Sequence, residues 1–147
     1  MLRADFIRRK LELIAEELAR LLEFKDASYE EIANDFIKLA AVERILERIV
    51  NRAVDVNEHL IGALSTGREP KTTQLTYRET FLMLANLGVY PHDFADAISK
   101  SAGLRNVLVH EYNDVDRQLV YGSIRTCLSQ YREYIDKVEA YLEREAE

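Results

Sequence analysis

Residues 29–64 read YEEIANDFIKLAAVERILERIVNRAVDVNEHLIGAL, and this stretch decides the fold. Its apolar side chains recur every three or four residues, a spacing that places them along one face of an α-helix. The stripe consists of Ile32, Phe36, Leu39, Val42, Leu46, Ile49, Ala53, Val56, Leu60 and Leu64. Ser28 and Glu31 have the spacing of a capping box, in which each side chain satisfies a backbone donor at a helix start. The pattern predicts one long helix over 29–64.

Four further segments carry helical patterns. Apolar spacing predicts a first and a last amphipathic helix, and a second capping box, Thr76 and Glu79, begins a short helix that stops at Gly88. Pro91 suits the first turn of the next helix, which runs through residue 112 with a kink near Gly103. The predicted helices are 2–24, 29–64, 76–88, 91–112 and 117–144, with a break at 25–27, a polar loop at 65–75 and a turn at 113–116.

Length and composition agree with a helical protein. The chain has 147 residues, 48% of them hydrophobic, and only 5 Gly and 2 Pro. That length fits one domain, and so few turn-forming residues disfavour a β-rich fold. We therefore predict a single all-α domain over residues 1–147, an up-and-down bundle of about five helices. Five apolar stripes in so short a chain leave apolar surface uncovered, which predicts a homodimer.

Several classes of protein are excluded by what the sequence lacks. Cys127 is the single cysteine, and no Cys/His spacing suggests a zinc site, so we expect neither a metal nor a cofactor. The first residues contain no apolar run typical of a signal peptide, and no apolar stretch approaches the ~20 residues that span a bilayer. A cytoplasmic protein without membrane contact is therefore expected. The net charge of −6 disfavours unspecific nucleic-acid binding, but residues 99–132 hold five basic and three acidic side chains.

The least acidic part of the chain contains the segment with the clearest chemistry. Residues 105–112 read R-N-V-L-V-H-E-Y. Arg105 can hold phosphate oxygens through its planar fork, and His110 can take and return a proton near neutral pH. Together they suit RNA cleavage without a metal, in which a ribose hydroxyl attacks the adjacent phosphorus and arginine stabilises the charge that develops.

Helical spacing limits what this segment can do alone. Asn106 and His110 share a helix face, and Arg105 and Tyr112 share a neighbouring one. Arg105 and His110 are five residues apart, which is about 140° around a regular helix. Three explanations would bring them together: an irregular backbone near Gly103, an arginine side chain that curls round the helix, or a second subunit that completes the site.

The segment resembles the R-x-x-x-x-H-x-Y motif of the HepT-like toxins among HEPN domains. Residues 35–61, 77–81, 87–89 and 104–121 resemble further parts of that family, so the likeness covers most of the chain. The resemblance implies an all-α HEPN fold, a homodimer and a ribonuclease toxin of a type VII-like toxin–antitoxin pair.

Residue roles follow from the same resemblance. It makes Arg105 and His110 the catalytic residues, with Asn106 as the polar residue after the arginine. It makes Tyr112 the tyrosine that a minimal nucleotidyltransferase antitoxin adenylylates. The family position also suggests that Asp55 supports the cleft.

Other interpretations of these residues stay open. Asp55 and His59 lie one turn apart and could support a site or ligate a metal, although a surface pair or an interhelical hydrogen-bonded pair is the commoner arrangement. We expect His92 at the surface and Cys127 in the packing of the last helix. The alternative function is a non-catalytic helical partner that binds nucleotide or docks a nucleotidyltransferase.

Overall fold

The computed structural model describes residues 2–109 and 114–146, without the side chains of residues 109 and 114–116. In this part of the chain every regular element is helical, which confirms the predicted all-α fold. The elements are α1 Ala4–Leu22, α2 Tyr29–Ala33, α3 Phe36–Leu64, a 3₁₀ turn Thr72–Gln74, α4 Tyr77–Asn86, α5 His92–Ser99, a 3₁₀ turn Lys100–Ala102, α6 Gly103–Val109 and α7 Asp114–Ala146.

The three long helices α1, α3 and α7 pack against one another and form the centre of the bundle. The shorter helices α4 and α6 pack against α3, and α5 packs against α4. The core is built from the predicted apolar stripes, because one face of each long helix is excluded from water. Its largest fully buried side chains include Tyr131 and Tyr134 of α7, and Cys127 is buried beside them as predicted. Burial raises the pKa of the Cys127 thiol to about 12, so this cysteine is an inert packing residue.

The prediction of one unbroken helix over 29–64 is wrong at its start. Asp35 has an extended backbone, and its carboxylate accepts hydrogen bonds from the backbone N–H groups of Ile37 and Lys38. It therefore caps α3 and separates it from α2. The interruption turns the next residues away from the core, so Phe36, which was assigned to the apolar stripe, is 85% exposed.

Local capping signals located other helix ends correctly. Thr76 and Glu79 form the predicted capping box at the start of α4. Gly88 follows the end of that helix with a φ of 82°, a left-handed conformation that glycine adopts without a side-chain clash. Ser28 accepts a hydrogen bond from the Glu31 backbone N–H at 3.1 Å and so begins α2. These signals worked because each depends on neighbouring residues alone.

The segment from residue 91 onward differs from the prediction in two ways. It consists of α5, a 3₁₀ turn and α6, and this 3₁₀ turn lies just before Gly103, near which the kink was predicted. The turn predicted at 113–116 is wrong for residues 114–116, which form the first turn of α7. Asn113, the other residue of that predicted turn, lies outside the described residues.

Candidate active site

Helix α6 brings the first half of the R-N-V-L-V-H-E-Y segment to the surface of the bundle. Leu104 is buried, and Val107 and Leu108 pack half-buried against the core. This apolar contact fixes the rotation of α6 and leaves Arg105 half-buried and Asn106 exposed. The two polar residues therefore lie at the boundary between core and solvent, where an RNA phosphate can reach a partly desolvated charge.

Arg105 lies over an aromatic ring from another helix. The guanidinium carbon is 4.9 Å from the centroid of the Tyr77 ring, at the start of α4. A cation in this position is attracted by the negative face of the ring. The N–H groups of the guanidinium lie in the plane of its fork and are the groups through which it can bind phosphate oxygens.

Whether Arg105 and His110 meet in one site depends on where His110 lies. His110 and Tyr112 lie outside the described residues, so the predicted meeting of Arg105 and His110 stays a prediction. The irregular backbone is the 3₁₀ turn Lys100–Ala102, and α6 is regular from Gly103 to Val109. Because this turn precedes Arg105, it does not alter the helical spacing from Arg105 to residue 109. Which of the three explanations brings Arg105 and His110 together stays open.

An arginine that follows the motif acts on a carboxyl of α3. The Glu43 carboxyl is partly buried, and burial raises its pKa, while the positive charge of Arg117, near the beginning of α7, acts against that rise.

Asp55 and His59 both bond to the first helix. The Asp55 carboxylate forms an ion pair with the Lys10 ammonium at 3.0 Å, and His59 Nε2 accepts a hydrogen bond from the Arg3 backbone N–H at 3.0 Å. These bonds to α1 and to the residue before it agree with the arrangement described above as the commoner one for Asp55 and His59. A supporting role of Asp55 in the cleft stays a prediction.

Three groups of side chains escaped the sequence analysis. Tyr77 under Arg105 is one, and a buried hydrogen-bonded set of Asn57, Thr80 and Tyr134 is another. The third is Glu17, whose carboxylate is 1% exposed and surrounded by arginines. A signal existed for the last two, because Asn57 and Glu17 occupy positions of the apolar stripes on their helices.

The described part of the chain contains neither a candidate metal cluster nor a candidate membrane span. There, no group of three or more histidine, cysteine or acidic side chains is arranged to hold a metal ion. None of the helices in that part is both long and apolar enough to span a bilayer.

A groove of about 500 Å³ lies between α6 and α7, and the single charged side chain among its described lining residues is Lys100. Its lining is therefore poorer in positive charge than a site for RNA phosphates requires.

The fold is shared with a solved all-helical toxin structure. A solved structure of a tri-AMPylated HEPN toxin of Shewanella oneidensis in complex with an MNT antitoxin superposes with a TM-score of 0.77, at 24% identity, over 94% of this chain and 99% of that one.

Sequence comparison identifies the family. A family model described as Ribonuclease HepT-like matches residues 6–138. The tRNA nuclease HepT of Aphanizomenon flos-aquae is 34% identical over 136 residues, which is 92% of this chain and 89% of that protein. A putative RNase of Archaeoglobus fulgidus is 31% identical over 108 residues, 74% of this chain and 77% of that protein. The chain belongs to the HepT-like ribonuclease family, which confirms the resemblance and the predicted class of enzyme.

Proposed function

We propose that this protein is an endoribonuclease toxin that cleaves RNA without a metal ion through Arg105 and His110. The observation that carries the proposal is the half-buried guanidinium of Arg105, which lies over the Tyr77 ring, because a guanidinium binds phosphate oxygens through the N–H groups of its planar fork. Membership of the HepT-like ribonuclease family supports the same reaction class.

The reaction follows from these two side chains. His110 accepts the proton of a ribose 2′-hydroxyl, and the freed oxygen forms a bond to the adjacent phosphorus. Arg105 stabilises the negative charge on the pentacoordinate phosphorus. The bond from phosphorus to the 5′ oxygen breaks, that oxygen takes up a proton from an acid, and a 2′,3′-cyclic phosphate remains. We assign Asn106, which is exposed one residue after Arg105, a supporting role in which its amide would donate to a second phosphate oxygen.

Cleavage tests identify the catalytic residues. The purified protein is expected to cleave tRNA in the presence of a chelator, because the relative from Aphanizomenon flos-aquae is a tRNA nuclease. His110→Ala and Arg105→Ala should each lower the rate at least ~100-fold, since general acid–base catalysis and charge stabilisation contribute on that order.

His92→Ala is the control for this test, since His92 is exposed and bonds to Asn86, which lies outside the motif. It should cleave at the wild-type rate. Cleavage that persists in His110→Ala, or that needs added metal, contradicts the proposal. Binding of a nucleotidyltransferase with no RNA cleavage by the wild-type protein would instead support the non-catalytic alternative.

Regulation by a minimal nucleotidyltransferase antitoxin is the second part of the proposal. It is supported by the Shewanella oneidensis structure, in which a HEPN toxin is AMPylated and bound to its MNT antitoxin. The residue we assign as the acceptor is Tyr112. Transfer of AMP from ATP to its hydroxyl, with release of pyrophosphate, adds a negative phosphate close in sequence to Arg105, which would repel and occlude RNA.

A tyrosine substitution tests this regulation. Incubation with a nucleotidyltransferase of this class and ATP should add AMP to the wild-type chain and stop its RNA cleavage. Tyr112→Phe, which lacks the acceptor hydroxyl, should take up no AMP at that position and stay active. Tyr29→Phe is the control, because the Tyr29 ring packs edge-on against Tyr121 and the substitution preserves that ring contact. Mass spectrometry and the tRNA assay read both effects, and inactivation of Tyr112→Phe would contradict the assignment.

The proposed assembly is a homodimer in the cytoplasm, where RNA and the antitoxin would meet it. Its support is exposed apolar surface: Phe36 is 85%, Ile37 78% and Leu119 52% exposed. Contact with a second copy would remove these side chains from water, which is favourable. A second copy could also bring His110 toward Arg105, which helical spacing alone does not achieve.

A further inference from the structure

Tyr77 has a place in the structure that the proposed chemistry does not use. It is the first residue of α4, its ring is half-buried against the core, and the guanidinium of Arg105 lies 4.9 Å from the ring centroid. An arginine side chain at a surface has many rotamers, and a site that binds phosphate needs few of them. The ring removes part of that freedom, because the guanidinium gains attraction only when it lies over the ring face.

A chain of buried hydrogen bonds holds the beginning of α4 in place. The Thr80 hydroxyl donates to the backbone carbonyl of Tyr77 at 2.7 Å. The same hydroxyl oxygen accepts from the Asn57 amide of α3 at 3.1 Å. The Asn57 carbonyl oxygen in turn accepts from the Tyr134 hydroxyl of α7 at 2.5 Å.

These hydrogen bonds connect α3 and α7 to the first turn of α4, which carries Tyr77. Asn57 and Thr80 are no more than 1% exposed, so no water competes for their bonds. Breaking any link would leave a buried polar group without its partner, which makes the arrangement costly to disturb. The position of the Tyr77 backbone is therefore fixed by the core of the bundle.

We propose that Tyr77 is a positioning residue of this site: its ring holds the Arg105 guanidinium in the orientation that binds phosphate, and Thr80 and Asn57 hold Tyr77 in turn. The inference rests on the proposed function of Arg105 as the phosphate-binding residue. The hydroxyl of Tyr77 has no part in it, because the attraction comes from the face of the ring.

Two substitutions at Tyr77 separate the ring from its other features. Tyr77→Phe keeps the ring and should cleave tRNA within about twofold of the wild-type rate. Tyr77→Leu keeps an apolar side chain for the core but removes the ring, and its cleavage rate should fall roughly tenfold. Thermal unfolding of both variants shows whether the bundle is intact. Loss of activity in Tyr77→Phe equal to that in Tyr77→Leu would overturn the role of the ring.

A binding cycle tests whether Tyr77 acts through Arg105. It is measured in the His110→Ala protein, which should leave tRNA uncleaved, so that a dissociation constant can be determined. Tyr77→Leu is expected to weaken tRNA binding about five- to tenfold when Arg105 is present and to have no further effect when Arg105 is already alanine. Arg144→Ala is the control, because Arg144 also lies over a tyrosine ring, that of Tyr141 at 5.6 Å, but on the last turns of α7. It should leave binding unchanged.

The outcomes distinguish this inference from the function on which it rests. An equal effect of Tyr77→Leu with and without Arg105, or no effect at all, overturns the positioning role and leaves the ribonuclease proposal standing. Cleavage by His110→Ala, or undiminished tRNA binding by Arg105→Ala, contradicts the proposed function itself. A ring-current shift of the Arg105 Nε–H resonance that disappears in Tyr77→Leu but persists in Tyr77→Phe would show the contact in solution.

Discussion

His59 joins α3 to the beginning of α1 through its neutral form. Its Nε2 accepts the Arg3 backbone N–H at 3.0 Å, and its ring packs on Phe6 with centroids 5.1 Å apart. A protonated imidazole would carry a hydrogen on Nε2 and could not accept that bond. Burial lowers the pKa of His59, and nearby positive charge, including that of Arg3, lowers it further.

The lowered pKa of His59 predicts the direction in which pH changes stability. The unfolded chain binds a proton at His59 below about pH 6.5, while the folded chain resists it. The unfolded state therefore holds more protons, so the contribution of His59 is fully present above about pH 6.5 and is lost as pH falls through the folded pKa. Denaturant unfolding should be measured at both pH 7.5 and pH 5. Between these two values, the free energy of unfolding should fall less for His59→Gln than for the wild type. His92→Gln, which removes an exposed imidazole, is the control, and equal losses in all three proteins would contradict the prediction.

At the scale of single residues, the sequence located Arg105 and Asn106 but not the ring beneath Arg105. The motif is contiguous, so its residue types could be read directly. Tyr77 comes from another helix and reaches Arg105 only through packing of α4 and α6 around α3. No local spacing encodes such a contact.

At the scale of helices, local signals predicted most boundaries. Thr76 with Glu79 and the positive-φ Gly88 determined both ends of α4 as expected. The break before α3 was missed because Asp35 lies inside a continuous apolar pattern, and its capping role depends on two backbone bonds that the pattern does not show. Periodicity reports which face of a helix is apolar and is blind to a cap that interrupts the helix.

The segment from residue 91 through the motif helix shows a different limit of prediction from sequence. Five helical segments were expected and all contain helix, but the segment from residue 91 is divided by a 3₁₀ turn at Lys100–Ala102. The helix boundaries around the motif decide where Arg105 points, and they depend on how Leu104, Val107 and Leu108 meet the core. The residue types of the motif therefore indicated the chemistry of the site, whereas the direction of its side chains could not be predicted from the sequence.

At the scale of the whole molecule, charge is distributed in clusters that the net value of −6 conceals. The most buried cluster centres on Glu17 of α1. One oxygen of its carboxylate lies 2.9 Å from Arg20, 3.6 Å from Arg48 and 3.2 Å from Arg52. Arg52 also donates to the backbone carbonyl of Leu13 at 3.3 Å. The cluster therefore fastens α1 to α3 along their shared face.

Neutralising Glu17 should weaken the whole fold. Its side chain is 1% exposed, while the arginines are 57%, 43% and 24% exposed, so solvent screens the arginines but not the carboxylate. Glu17→Gln keeps the shape but removes the charge that holds three guanidiniums together, and it places amide hydrogens among positive charges. Removing one partner of a fully buried pair costs several kcal/mol, and screening of the arginines reduces this to about 1–3 kcal/mol.

The neighbouring residue provides a matched control for this prediction. Glu16 is exposed on the same helix, so Glu16→Gln makes the same chemical change without touching the cluster. Urea unfolding at neutral pH should give a lower midpoint for Glu17→Gln than for Glu16→Gln, with an unchanged slope. Equal midpoints would mean that solvation of the three arginines offsets the loss of their carboxylate, and that apolar packing alone holds α1 on α3.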